Sequence, residues 1–205
     1  GTSAINVSGN WDSSNAAAVF NYGQSTLSFT GTGTQTFTVN TSNARSFYNI
    51  NMTTPGQTVN PASAAYPFYI YGVFTFGSTS GNKVTLGSNR EFHFYTTAPI
   101  IFNGAYNQNP GYVYSADMKF LFHPSANMNV PVGTYQGVYF NSKGNFTFTL
   151  QGDIAFGNNL QIKSDNNFTT STLDLNGHNI TFYGNGNLLF GQNGSNLYGA
   201  LQNNG

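Results

Sequence analysis

The chain has no cysteine, so neither disulfides nor thiolate chemistry are open to it. Charge is nearly as scarce. Six Lys and Arg balance six Asp and Glu, only 6% of 205 residues, where an ordinary soluble domain carries about 25%. No Lys or Arg cluster exists to neutralise phosphates, which argues against nucleic acid as a partner. No apolar run approaches the roughly 20 residues of a membrane span. A basic-then-apolar leader is missing too; the opening "GTSAINVSGNW" suits a mature chain whose leader has been removed, or an excised piece. Helical stripes are absent, "SSNAAAVF" at 13–20 being too short to hold one. Gly-x-Ser-x-Gly nucleophile motifs and Lys-bearing phosphate loops are lacking as well.

Aromatics and small polar residues fill the space. With 19 Phe and 13 Tyr, the chain is too rich in aromatics for intrinsic disorder. Period-two alternation runs throughout: "GNFTFTLQGDIAF" at 144–156 puts Phe146, Phe148 and Leu150 on one face and Thr147 and Thr149 on the other. The class is all-β. In the last third, apolar pairs fall at Ile154/Phe156, Leu160/Ile162, Leu173/Leu175, Ile180/Phe182 and Leu188/Phe190. Successive pairs start 6, 13, 7 and 8 residues apart, three of the four steps at or below the short end of the roughly 8–12 residues usual for a sandwich. About three extended residues and a sharp bend fit that spacing, which favours a β-solenoid, a right-handed parallel β-helix, over a pilin-like β-sandwich. Bends need positive φ, and the many Gly-Asn and Asn-Gly pairs are expected to supply it. "GVFTFG" at 72–77, "GDIAFG" at 152–157 and "GNLLFG" at 186–191 share Gly-x-apolar-x-Phe-Gly. The whole of 1–205 reads as a single domain, with a less regular, aromatic-rich insertion or subregion about 60–140 that holds six of the seven prolines.

Four blocks carry a family resemblance: "INVSGNW" at 5–11, "STLSFTGTGTQTFTV" at 25–39, "SFYNINMTTPGQTV" at 46–59 and "TLDLNGHNITFYGNGNL" at 172–188. In this order they resemble the β-helix-type repeats of large bacterial secreted and cell-surface proteins, a likeness confined to these blocks. The resemblance implies an extracellular β-rich scaffold and no reaction. A second likeness, in composition alone, is to surface-filament subunits that join by donating a strand; "GTSAINVSG" would be the donated segment.

Candidate chemistry is sparse. His93, His123 and His178 lie far apart in sequence and read as surface or corner residues. The acids are Asp12, Glu91, Asp117, Asp153, Asp165 and Asp174. Asp153 and Asp174 would stack as a carboxylate pair if one coil had the length of chain that separates them. The threonine row Thr30, Thr32, Thr34, Thr36 and Thr38 reads as a solvent face. In "YPFYIY" both faces are apolar, so Tyr66, Phe68, Tyr69 and Tyr71 are candidate interface residues. Asn6, Asn40, Asn51, Asn145, Asn167, Asn179 and Asn193 head Asn-x-Ser/Thr sequons, acceptors if the producing cell glycosylates secreted proteins.

The expectation is therefore a structural subunit outside the cell or on its surface: a filament, a pilus-like fibre or an adhesin stalk. It would pair with copies of itself head to tail, without catalytic residues, cofactor or metal. The alternative is a β-helix that binds or cleaves polysaccharide through clustered acids and aromatics.

Overall fold

The computed structural model describes residues 2–15, 17–39, 45–62, 67–80, 83–87, 90–97, 100–103, 112–114 (backbone alone), 119–183, 186–191 and 198–205. All regular structure in it is β. Two strands come first, β1 (Ala4–Val7) and β2 (Trp11–Ser13). Seven three-strand turns follow. Turn 1 is β3 (Thr26–Phe29), β4 (Thr34–Val39) and β5 (Ser46–Phe47); turn 2 is β6 (Asn49–Met52), β7 (Thr58–Pro61) and β8 (Phe68–Ile70). Turn 3 is β9 (Phe74–Phe76), β10 (Val84–Leu86) and β11 (Glu91–Phe94); turn 4 is β12 (Ile100–Phe102), β13 (Tyr112–Tyr114) and β14 (Lys119–Phe122). Turn 5 is β15 (Met128–Val130), β16 (Thr134–Tyr135) and β17 (Gly137–Ser142); turn 6 is β18 (Phe146–Leu150), β19 (Ile154–Phe156) and β20 (Leu160–Ser164). Turn 7 is β21 (Thr170–Asp174), β22 (Ile180–Phe182) and β23 (Leu188–Phe190), and β24 (Tyr198–Gln202) opens the next.

Apart from β12 and β13, each strand that has a counterpart one turn on pairs with it in parallel, so the chain is a β-solenoid of about seven turns. Alternation decides which side chains turn inward. In β11, Phe92 and Phe94 are wholly buried while Glu91 and His93 face out. Between 60 and 140, β8 to β11, β14 and β17 pair in the same manner with the turns on either side.

The interior of the first turns is stacked phenylalanine. Phe68 lies 4.5 Å from Phe37 and 5.0 Å from Phe92, and Phe94, Phe122 and Phe140 follow at 5.3 and 5.4 Å between ring centroids. Burying each ring contributes about 1.5–3 kcal/mol, and offset stacking adds to that.

Turn length is not constant. On the third face, Ser46 pairs with Tyr69, Glu91 with Lys119 and Leu160 with Leu188, but Lys119 pairs with Gly137, a far shorter step along the chain. A turn that short encloses a smaller cross-section, so its other two sides cannot lie over the preceding ones. The first face (β1, β3, β6, β9, β12) and second face (β2, β4, β7, β10, β13) end at turn 4, and new sheets (β15, β18, β21, β24 and β16, β19, β22) begin at turn 5. Only the third face, β5 to β23, crosses the junction among the described residues. Packing still bridges it elsewhere: the Phe102 ring meets Tyr135 edge-on at 5.1 Å.

The Gly-x-apolar-x-Phe-Gly matches coincide with β9, β19 and β23, which lie in three different sheets. The motif marks a strand between two bends rather than a period of the solenoid. Its first glycine allows a close backbone approach in two of the three: a Cβ on Gly72 would sit 2.8 Å from the Tyr48 carbonyl oxygen, and one on Gly186 2.5 Å from that of Asn158. The expectation that asparagines bend the chain through positive φ holds only at Asn176 among the described asparagines. They act instead through their amides. Oδ1 of Asn10, Asn49, Asn127, Asn145 and Asn159 accepts a backbone N–H from the next turn (Thr36, Val73, Thr147, Thr170 and Asn187), at 2.8–2.9 Å.

Candidate functional site

Two features stand out, one at an end of the solenoid and one on its third face. The end is formed by β22, β23 and β24, which have no strand beyond them among the described residues. Leu188 and Phe190 stack in register on Leu160 and Ile162, which are fully buried, yet they are 36% and 48% exposed themselves. Leu201 pairs with the buried Leu173 and is exposed in the same way. Among the described residues these interior positions are only partly covered. At the opposite end, β1 and β2 leave Ile5, Val7 and Trp11 only half-buried, and Trp11 packs on Phe20 and Phe47 at 5.0 and 6.0 Å.

The second feature is a line of polar side chains that crosses the outside of turns 3 to 6. Lys119 Nζ lies 3.3 Å from Glu91 Oε1, and Glu91 Oε2 lies 3.4 Å from His93 Nε2. His93 Nδ1 meets His123 Nε2 at 3.1 Å, and His123 Nδ1 meets Asp165 Oδ2 at 2.7 Å. Alternation puts His93 outside, between the buried Phe92 and Phe94. Phe122 at the end of β14 brings His123 alongside, and the bend after β20 brings Asp165. The two imidazoles stack at 5.0 Å, and His123 ends a ladder of rings, Tyr22, Tyr71 and Tyr95, spaced 5.5, 5.3 and 5.1 Å. The arrangement perturbs the acids. The His93 hydrogen bond, opposed by burial and helped by Lys119, holds Glu91 down at about 2. Burial resists ionisation of Asp165, but the His123 hydrogen bond and nearby Lys163 and Lys143 leave its carboxyl below the usual range. Burial, with Tyr69, Tyr71 and Asp165 nearby, pushes the Tyr95 phenol up to about 12.

Chemically the line can hold and share protons. Each of the four ring nitrogens has a partner within the line. The groups are strung out in a line, the His93 and His123 side chains only 15% and 7% exposed, and among the described residues no three His, Asp or Glu side chains converge as a metal-holding set. Sequence spacing did not foreshadow the meeting of His93 and His123; the register sets His93 opposite Leu121, and the His123 side chain, just beyond the end of β14, meets it from one turn on.

Other sequence candidates fall as follows. Asp153 and Asp174 do not pair. Asp174 sits in β21 opposite Thr149 and is bonded by Asn176, Gln202 and Asn204, whereas Asp153 precedes β19 and accepts the Asn179 amide at 2.8 Å. The local turn carries Asp153 round to Asn179, past Asp174, so the coil is longer than the pairing required. His178 is a corner residue 3.8 Å from Asp153. Phe68 is wholly buried, which leaves Tyr69, under the Arg45 guanidinium, and Tyr71, 37% exposed, as the members of that run with outer surface; Tyr66 lies outside the described residues. Thr34, Thr58 and Thr85 stack in register on the second face. Among the sequons, Asn6, Asn145, Asn167 and Asn179 are exposed and Asn51 is half-buried, while Asn40 and Asn193 lie outside the described residues.

Among the described residues no helix is long and apolar enough to cross a membrane. No family model, curated protein or solved structure matches the chain.

Proposed function

We propose that the protein is a structural subunit of an extracellular filament, pilus-like fibre or adhesin stalk, and that it assembles end to end through β-strand pairing. The observation that carries this reading is the apolar surface at β22–β24, where, among the described residues, Leu188, Phe190 and Leu201 are exposed while the rows they continue are buried one turn earlier. Unpaired strand edges beside exposed apolar side chains are a template for another chain. The occupant is a second copy, which would lay β1 and β2 over that end. Such a contact uses different surfaces on its two sides and does not close, so it propagates into a fibre. Zero net charge removes long-range repulsion between copies. The repeat resemblance and the lack of charge fit the cell exterior.

The polysaccharide reading has less support. A sugar stacks on an open ring face, and Tyr71 and Tyr95 turn their faces onto neighbouring rings.

Sedimentation velocity and negative-stain images over a concentration series test the proposal. The native chain should form concentration-dependent fibres, and Phe190→Asp should remain monomeric with an unchanged far-ultraviolet spectrum. Monomers of the native chain at every concentration, or fibres of the variant equal to native, overturn it. Monomers that also bind a polysaccharide panel would favour the carbohydrate reading.

A further inference from the structure

We infer that the pair His93–His123 is a proton-operated clasp across the junction between turns 4 and 5, closed when the two rings share one excess proton and opened by the next. The inference stands on the third-face geometry and does not depend on assembly.

Proton arithmetic sets the states. Glu91 and Asp165 are ionised acceptors, so His93 Nε2 and His123 Nδ1 must each carry a hydrogen to bond them. The 3.1 Å contact between His93 Nδ1 and His123 Nε2 then needs one hydrogen, no more and no fewer. With three hydrogens on the four nitrogens, all three contacts are hydrogen bonds and the pair carries a single positive charge between two carboxylates. Remove one proton and either the imidazole contact or one carboxylate contact faces lone pair to lone pair. Add a fourth and two N–H groups confront each other, with two cations stacked at 5.0 Å.

The position gives this pair leverage. His93 belongs to turn 3, His123 to the end of turn 4 and Asp165 to the end of turn 6, so the chain of bonds spans the short turn where two of the three sheets stop. Next to the third-face ladder, it ties the two blocks together on that side. The neighbouring groups oppose a second charge only in part. Glu91 and Asp165 favour it, and Tyr69, edge-on to His93, and Tyr95, stacked on His123, are neutral. Lys119 beside Glu91, Lys163 and Lys143 near Asp165, and Arg45 over Tyr69 disfavour it.

The sign separates the clasp from ordinary acid unfolding. Glu91 is lowered in the folded state, so its contribution is complete above its unfolded value near 4.5 and disappears only as pH falls from there toward about 2. Asp165 is lowered too, and its loss begins below its ordinary value of 3.8. Opening of the clasp is a separate event, because it places a proton on an imidazole and not on a carboxylate.

Hydrogen exchange of the full chain at pH 8, 6.5 and 5 tests this. Protection of the junction amides of Phe120, Phe122, Val138 and Phe140 should fall at least about tenfold between pH 6.5 and 5, the scale of one charged hydrogen bond lost, while amides of Leu27 and Phe29 hold. In His93→Gln the drop should vanish. Histidine side-chain nitrogen spectra give a readout independent of that variant's folding: they should report three ring N–H protons per pair at an intermediate pH. Uniform loss of protection over the chain, or two histidines that titrate without coupling, overturns the inference.

Discussion

The interior of turns 1–4 is stacked phenylalanine, whereas in turns 5–7 the corner between the third face and the sheet of β15, β18, β21 and β24 is hydrogen-bonded serine. In the first block, Phe37, Phe68, Phe92 and Phe120 pass ring contact from turn to turn. In the second, Ser142, Ser164 and Ser171 are all buried. Ser142 N–H donates to Ser171 Oγ at 2.9 Å, the two hydroxyls meet at 2.8 Å, and Ser164 Oγ donates to Ser142 O at 3.1 Å. Backbones come so close there that a Cβ on Gly199 would lie 1.9 Å from Ile162 O. Stacked rings reward burial with little demand on angle. Buried hydroxyls demand particular partners, because an unpaired one is costly. Both blocks are held by buried apolar area, and the second adds a corner whose register is specified by hydrogen bonds. Their outer ends differ as well: Trp11 and Phe20 partly cover the first, and the second leaves Phe190 open.

The largest effect should come from the ring stack. Phe92→Ala removes a fully buried ring and should cost about 3–5 kcal/mol in chemical denaturation, whereas Phe190→Ala, 48% exposed, should cost much less in dilute solution. Equal losses would erase the distinction between a covered and an open interior.

That contrast was only half visible in the residue string. Inward and outward faces could be read strand by strand: Phe148 and Leu150 are buried and Thr147 and Thr149 face out, as alternation requires. The pairs Ile154/Phe156 and Leu160/Ile162 are likewise interior. Stacking partners could not be read. The step from Lys119 to Gly137 is much shorter than the step from Leu160 to Leu188, so no constant offset finds a neighbour. The same variation parted Asp153 from Asp174 and joined His93 to His123.

An intermediate effect tests the serine corner. Ser171→Ala takes the acceptor from the buried Ser142 amide and should cost about 1–3 kcal/mol. The exposed Thr181→Ala should be close to neutral in the same melts, and a Ser171 loss no larger than that would remove hydrogen bonding as the second block's organising principle.

The smallest effect is a gain. Phe168, at φ 64 and 75% exposed, holds a left-handed backbone in the bend between β20 and β21. Phe168→Gly should stabilise the chain by about 1 kcal/mol, seen as a higher denaturation midpoint. A loss instead would mean that the ring makes a contact the monomer does not show.

Local properties were settled by the sequence alone. All-β class, short strands, sharp bends and the identity of the inward rows follow from period-two alternation and from glycine, which act within a few residues. Tertiary structure decided the rest: the lengths of successive turns, the change of sheets after turn 4, the line from Glu91 to Asp165 and the exposed rows at Leu188 and Phe190. Each of these depends on residues a whole turn or more apart being brought level, and that is set by how much chain every intervening bend consumes.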